Sequence, residues 1–150
     1  MEISYLGNSE YLLRHKKSVK VFIRPTGTTI ESDSEPITIS GPGEYEVKGV
    51  LIAGFKGDDK NTIYTYDLDG IRVVWLGGVK LKLTEKQLDL LDGVDVLLVS
   101  AQGADLVKQI GPSLAVSSEP IKGLEGTPRR EKKLTVNKLS LPEETELVIL

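Results

Sequence analysis

Short apolar runs separated by turn residues fill the first two-thirds of the chain, and they predict strands rather than helices. Between two pairs of runs stand the dipeptides Lys48-Gly49 and Asp69-Gly70. A two-residue type I′ turn needs positive φ at both central residues, so Asp-Gly between β-prone runs is a strong hairpin signal. The predicted strands cover residues 1–5, 11–14, 19–23, 36–39, 44–47, 50–55, 62–68 and 71–76.

The segments between these runs are polar or contain glycine and proline. The basic residues 14–17 predict the turn of a hairpin between the second and third strands. Residues 25–36 are rich in Thr, Ser, Glu and Gly and predict a loop, and Gly41-Pro42-Gly43 then interrupts the strand pattern. A polar, glycine-containing stretch at 122–133 predicts a second long loop.

The last third of the chain begins with helix signals. Thr84 and Gln87 have the spacing of a capping box, in which each side chain bonds the other residue's backbone N–H. Leu83 and Leu88 can form the hydrophobic staple, and Gly93 can supply the left-handed stop. These signals predict a helix over residues 85–92.

A βαβ unit is predicted next. The apolar run 94–99 is typical of a strand covered on both faces. A short helix over 104–110 ends at Gly111-Pro112, and the apolar strand 114–116 follows, with a right-handed connection expected. Strands at 134–136 and 147–150 complete the chain. Hairpins followed by βαβ predict an α+β protein with sheets packed face to face and helices outside.

Composition is that of one soluble domain spanning residues 1–150. Apolar residues make up 39% and charged residues 27%, which allows a core without metals or disulfides. The net charge of −3 and the spread of basic residues argue against a nucleic-acid surface. No apolar run approaches the roughly 20 residues that span a bilayer. The N-terminus lacks a signal-peptide pattern, so we expect a cytoplasmic protein.

The residue inventory limits the chemistry available. With no cysteine, thiol catalysis and Cys-based zinc sites are excluded. A histidine-dependent zinc site or a Ser-His-Asp triad would have to use His15, the sole histidine, which its basic neighbours predict to be exposed. No phosphate-binding glycine motif occurs. We therefore predict no metal, no cofactor and no catalytic residue of the usual kinds.

Two features keep weaker alternatives open. Gly41-Pro42-Gly43 and Gly77-Gly78 could approach a ligand closely, although tight turns explain them as well. Asp58-Asp59 and the pair Asp67/Asp69 could bind a hard cation through oxygen, although loop solvation and hairpin-turn chemistry explain these too.

Several segments together resemble the metallo-β-lactamase fold superfamily, in its branch of small predicted zinc-dependent hydrolases that includes lactonase-like proteins. The most specific is ISGPGEYEVKGV at 39–50. MEISYLGNS at 1–9 is similar to the branch's opening strand, and DGIRVVWLGG at 69–78 to its Leu-Gly-Asp strand. The segments at 83–84, 94–99, 108–112 and 141–146 complete the pattern in order. The resemblance implies a truncated αββα sandwich, mostly β, with two or three short helices.

The chain departs from this family at every expected metal ligand. The opening-strand His falls on Asn8, a His after the 50–55 strand falls near Lys56, and the Asp of Leu-Gly-Asp falls on Gly78. A later strand-end His falls near Glu119, and an Asp-Pro after the third strand is Arg24-Pro25. The H-x-H-x-D-H motif would lie between Pro25 and Pro36, where a short polar loop is predicted.

The five substituted positions predict a vestigial site. If Asn8, Arg24, Lys56, Gly78 and Glu119 converge at one sheet edge, Arg24 and Lys56 would make the cleft cationic, and a small anion could occupy it. The absent ligands favour a non-catalytic, metal-free domain that binds a ligand or partner, or that assembles as a homo-oligomer through exposed strand edges.

Two alternative functions remain open. One is a divergent hydrolase of phosphodiester or lactone type, using oxygen ligands such as Asp58, Asp59 or Glu119, or a metal shared between subunits. The other is an inactive regulator of an active paralogue.

Overall fold

The computed structural model describes residues 1–15 and 18–150, which form two β-sheets, two short α-helices and one 3₁₀ turn. The helices are α1 (Glu85–Leu91) and α2 (Ala104–Ile110), and the 3₁₀ turn is Lys138–Ser140. The strands are β1 (Glu2–Gly7), β2 (Glu10–His15), β3 (Val19–Arg24), β4 (Gly27–Glu31), β5 (Ile37–Ile39), β6 (Gly43–Val47), β7 (Val50–Lys56), β8 (Thr62–Leu68), β9 (Ile71–Trp75), β10 (Val96–Leu98), β11 (Leu114–Ser117), β12 (Arg129–Arg130), β13 (Leu134–Thr135) and β14 (Glu146–Ile149).

The two sheets have different pairing patterns. The six-stranded sheet is antiparallel throughout, in the order β13-β1-β2-β3-β4-β5. The eight-stranded sheet has the order β12-β14-β11-β10-β9-β8-β7-β6. Its strands from β12 to β9 are parallel, and those from β9 to β6 are antiparallel. The predicted βαβ unit is confirmed as β10, α2 and β11.

Alternation along the central strands of the eight-stranded sheet divides the core into two layers. Val96 and Leu98 lie in the cluster between the two sheets, whereas Leu97 lies in a second cluster with residues of α1 and α2. Val73 and Val74 divide in the same way. Successive side chains of a strand point to opposite faces, so the apolar run is buried on both sides.

Both helices pack on the eight-stranded sheet, and the predicted truncated sandwich, mostly β with two or three short helices, is confirmed. The outer face of the six-stranded sheet has no α-helix within residues 1–15 and 18–150. Its outward positions are mostly polar, as at Ser4, Lys20 and Thr29, with Leu12 and Phe22 as apolar members of the row between Ser4 and Thr29. The sandwich is therefore truncated by one helical layer. None of the helices in these residues has the length and apolar character needed to cross a membrane.

The two predicted long loops both contain strands, so each prediction was wrong in part. β4 lies within residues 25–36, and its inward side chains Thr28 and Ile30 are buried. Thr28 is a polar residue in the core because its hydroxyl lies 2.6 Å from the Tyr66 hydroxyl of the facing sheet. The short, exposed β12 lies within residues 122–133 and pairs with β14.

His15 is buried, contrary to the prediction that it is exposed. It follows Tyr11 and Leu13 on the inward face of β2 and is only 3% exposed. Its Nδ1 lies 2.8 Å from Asp69 Oδ2, a close contact without the alignment of a hydrogen bond. The hairpin pairing of β2 with β3 is confirmed, while Lys16 and Lys17 of the predicted turn lie outside the described residues.

The local signals at turns and helix ends hold well. Lys48 and Gly49 both have positive φ, as do Asp69 and Gly70, which is the type I′ requirement. The capping box at Thr84 and Gln87 is present with both hydrogen bonds. The left-handed residue that ends α1 is Asp92 rather than Gly93, which follows it with a positive φ of its own.

Candidate functional site

The carboxyl ends of the parallel strands β9, β10 and β11 meet at one edge of the eight-stranded sheet. In open sheets with parallel strands, ligands commonly bind in the crevice outside these ends. Two adjoining pockets, of about 400 Å³ and about 260 Å³, open here and share Ser9, Trp75 and Gly77. We call the two together the strand-end cleft.

Both sheets contribute to the strand-end cleft. The larger pocket is lined by Ser9, Pro25, Thr26, Gly27, Ser40, Gly41, Lys60, Asn61, Thr62, Tyr64, Trp75, Gly77 and Gly78. The smaller pocket is lined by Tyr5, Ser9, Tyr11, Trp75, Gly77, Leu98, Val99, Ser100, Ala101, Ser118 and Glu119. The β1–β2 and β3–β4 turns belong to the six-stranded sheet, so the cleft exists only when the sheets are packed together.

Aromatic rings form the floor of the cleft. Trp75 stacks on Tyr64, with ring centroids 6.3 Å apart and planes inclined by 29°. The Tyr64 hydroxyl donates to the Gly41 carbonyl at 3.1 Å, which fixes the ring beneath the β5–β6 connection. A Cβ at Gly54 would come within 2.7 Å of Tyr64 Cε1, so the ring occupies space that only glycine leaves open. Burial raises the pKa of Tyr64, so its hydroxyl stays a donor to a higher pH than an exposed tyrosine does.

A second aromatic pair borders the smaller pocket. Tyr5 and Tyr11 have ring centroids 5.2 Å apart. The Tyr5 hydroxyl accepts a hydrogen bond from the Ser9 N–H at 3.2 Å, which ties the β1–β2 turn to the cleft. Burial, assisted by the nearby Tyr5, raises the pKa of Tyr11, so this phenol also stays protonated.

The loop between β7 and β8 holds the edge of the larger pocket in place. Asp58 Oδ1 accepts from the backbone N–H groups of Lys60 and Asn61, each at 2.9 Å. The Lys60 N–H, with the Asn61 side chain, lowers the pKa of this carboxyl. Asn61 also joins the loop to β9, because its Oδ1 accepts from the Gly78 N–H at 3.2 Å. A Cβ at Gly78 would lie 2.6 Å from that oxygen.

Three of the five residues predicted for the site lie at or beside the cleft. Gly78 lines the larger pocket and Glu119 the smaller one. Asn8 immediately precedes Ser9, and the two have φ values of 53° and 62°. Asn8 lies in a turn of the six-stranded sheet, whereas Gly78 and Glu119 follow strands of the eight-stranded sheet.

The other two predicted residues make contacts of their own and are not among those that line the cleft. Arg24 Nε lies 3.5 Å from Glu10 Oε2, and the guanidinium lies 4.8 Å from the centre of the Phe22 ring. Lys56 Nζ lies 3.4 Å from Asp59 Oδ1. Lys60 is the one cationic side chain among the described residues that line the cleft. The sequence analysis did not predict it as a site residue.

The donor set of the cleft does not fit a transition metal. Glu119 is the carboxylate among its described lining residues, and the imidazole of His15 lies elsewhere. His15 contacts Asp69 at the turn of the β8–β9 hairpin, whereas the cleft lies at the Trp75 end of that hairpin. At about 3.3 Å per residue the two ends are roughly 20 Å apart. The described residues contain no group of three or more His, Cys, Asp or Glu that could hold a metal ion.

The oxygen ligands considered for a hard cation are also dispersed. Asp58 uses both carboxylate oxygens on Lys60 and Asn61 of its own loop. Asp59 has a 97% exposed side chain that pairs with Lys56. Asp67 forms a two-point contact with Arg72, through Nε and Nη2 at 2.7 Å each. None of these carboxylates lines the cleft with Glu119.

Comparison with known proteins shows the family and the fold of this chain. The family model described as "Beta-lactamase superfamily domain" matches residues 27–118, more than half of the chain. No curated protein matches the sequence. A 2.00 Å crystal structure from Thermotoga maritima, described as a candidate Zn-dependent hydrolase of the metallo-β-lactamase superfamily, is similar with a TM-score of 0.77. It is 19% identical and the match covers 99% of this chain and 98% of that one, a likeness that shows the fold.

Proposed function

We propose that this chain, which belongs to the β-lactamase superfamily, is a non-catalytic domain that binds a small molecule in the strand-end cleft without a metal ion. The observation that carries the proposal is the separation of the sole imidazole from the cleft. An open catalytic zinc site takes three protein ligands, most often including histidine, and leaves a position for water. In this chain the smaller pocket of the cleft has Glu119 as its one carboxylate among the described residues, together with the hydroxyls of serine and tyrosine side chains.

The surroundings of His15 also support this proposal. The imidazole is 3% exposed, between the two sheets, and its Nδ1 approaches Asp69. The N-terminal ammonium lies 4.0 Å from the same carboxylate. Moving His15 to the cleft would break the β2–β3 pairing, in which it lies opposite Val19. Its role is therefore in the core of the fold.

The hydrolase alternative would require contacts to be broken. Asp58 would have to release the backbone N–H groups that organise the β7–β8 loop, and that loop supports Gly78 through Asn61. Glu119 would still lack two further protein ligands beside it. No specific contact among the described residues favours this function over binding.

Metal analysis of the purified full chain tests the proposal. We expect zinc, manganese and iron well below one atom per chain, and no turnover of a phosphodiester such as bis(p-nitrophenyl) phosphate, or of a simple lactone, above the rate without protein. Glu119→Gln should leave the metal content unchanged. Stoichiometric metal, with turnover abolished by a chelator and by Glu119→Gln, would defeat the proposal.

A further inference from the structure

We propose that the strand-end cleft binds a neutral hydroxylated ring, of which a pyranose sugar is the simplest example, with one face of the ring against Trp75. This inference rests on the proposed function, since it names the class of molecule that the metal-free cleft takes. Three properties of the cleft support it: its charge, its aromatic floor and its hydroxyl groups.

Charge favours a neutral ligand over an anion. Among the described lining residues the cleft has one cation, Lys60, and one carboxylate, Glu119. Tight anion sites combine several cationic side chains or convergent backbone N–H groups. The Gly78 N–H, which could serve such a site, already donates to Asn61 Oδ1. Arg24 and Lys56, the cations expected from the sequence, pair with Glu10 and Asp59 instead.

The aromatic floor favours a ligand with one apolar face. Tyr64 stacks on one face of the Trp75 indole, so a ligand ring can pack only against the opposite face. Trp75 lines both pockets of the cleft and is only partly buried, so part of the indole is accessible to a ligand. A pyranose has C–H groups on one face, which suit an aromatic platform, and hydroxyls around its rim. A nucleobase has no such rim of hydroxyls.

Hydroxyl groups around the floor can match the rim of such a ring. Ser9, Thr26, Ser40 and Thr62 line the larger pocket, and each hydroxyl can both donate and accept. Ser9, Thr26 and Ser40 lie on three different connections, and Thr62 lies at the start of β8. The volume of about 400 Å³ is that of a small-molecule site.

Fluorescence titration of the full chain tests this inference directly. Trp75 is the sole tryptophan, so any change in indole emission reports on the cleft. The probes are D-glucose, D-galactose, N-acetyl-D-glucosamine and maltose, with inorganic phosphate and adenosine as the contrasting classes. We expect a saturable change with at least one sugar in the millimolar range, and none with phosphate or adenosine.

Two variants make the test specific. Thr62→Val should weaken binding of the same sugar by about 2- to 12-fold, the loss expected for one neutral hydrogen bond. Thr38→Val, on exposed β5, is the matched control and should change the affinity by less than about twofold. Thermal unfolding of both variants confirms that they fold.

The outcomes separate this inference from the function on which it rests. Saturable binding of phosphate or adenosine in place of sugars, or no response to any probe, would overturn the sugar assignment while a metal-free protein still supports a non-catalytic domain. Metal-dependent turnover would instead overturn the proposed function.

Discussion

Replacing Tyr66 by Phe should destabilise the fold by more than the loss of an ordinary surface hydrogen bond. The Tyr66 and Thr28 hydroxyls lie 2.6 Å apart between the two sheets, and the two residues are 0% and 1% exposed. Tyr66→Phe leaves the Thr28 hydroxyl buried without its partner, at a cost of about 1–3 kcal/mol. For a domain of about this size, that lowers the melting temperature by about 2–12 °C.

A double-mutant cycle isolates this interaction. Thr28→Val leaves the Tyr66 hydroxyl unpaired and should cost a similar amount, whereas the variant with both substitutions removes both hydroxyls with little change of shape. We expect the double variant to be more stable than the sum of the single losses predicts, with a coupling of about 1–2 kcal/mol.

Urea unfolding of the four proteins, followed by circular dichroism, measures this coupling. Thr29→Val, one residue along β4 on its outer face, is the matched control; it removes one exposed hydroxyl contact, with Thr38 at 3.3 Å, and should change stability by about 0.5 kcal/mol or less. Single losses that simply add in the double variant would refute the reasoning, because the two hydroxyls would then contribute independently.

Two further predictions concern pH and the start of α1. Burial raises the pKa of the Tyr66 hydroxyl, so the unfolded chain loses the phenolic proton at a lower pH than the folded chain does. The free energy of unfolding should therefore stay constant below about pH 10 and fall above it. Urea midpoints between pH 7 and pH 11 measure this, and Tyr66→Phe should show a shallower fall; equal slopes would count against it. Gln87→Ala removes the hydrogen bond to the Thr84 N–H and the two hydrogen bonds to the carbonyls of Lys56 and Gly57. We expect it to lower the free energy of unfolding by about 1–2 kcal/mol, as measured by thermal unfolding, with Lys86→Ala as the neutral control. If Gln87→Ala lowers stability no more than Lys86→Ala does, Gln87 does not both cap α1 and hold the β7–β8 loop.

The parts of the fold that short-range chemistry dictates could be predicted from the sequence. The turns at Lys48-Gly49 and Asp69-Gly70 and the capping box at Thr84 depend on neighbouring residues, and each is confirmed. β4 was missed because one of its two buried inward residues is Thr28, which reads as polar until its partner Tyr66 is known. That partner lies 38 residues further along the chain.

The candidate site was predicted in part for a similar reason. Gly78 and Glu119 follow strand ends, and strand ends gather at the cleft. Arg24 could have been assigned to the outer face of β3, because it alternates with the buried Val21 and Ile23. Lys60 has no such signal, since its place depends on the hydrogen bonds that Asp58 makes within the β7–β8 loop.

The positions of β13 and β14 have a consequence for how the protein is made. β13 closes the six-stranded sheet by pairing with β1, and β14 fills an interior place between β11 and β12. Neither sheet can be completed during synthesis until residues 134–149 have left the ribosome. Until then β1 and β11 each lack a neighbouring strand, so the growing chain exposes strand edges that the folded protein pairs.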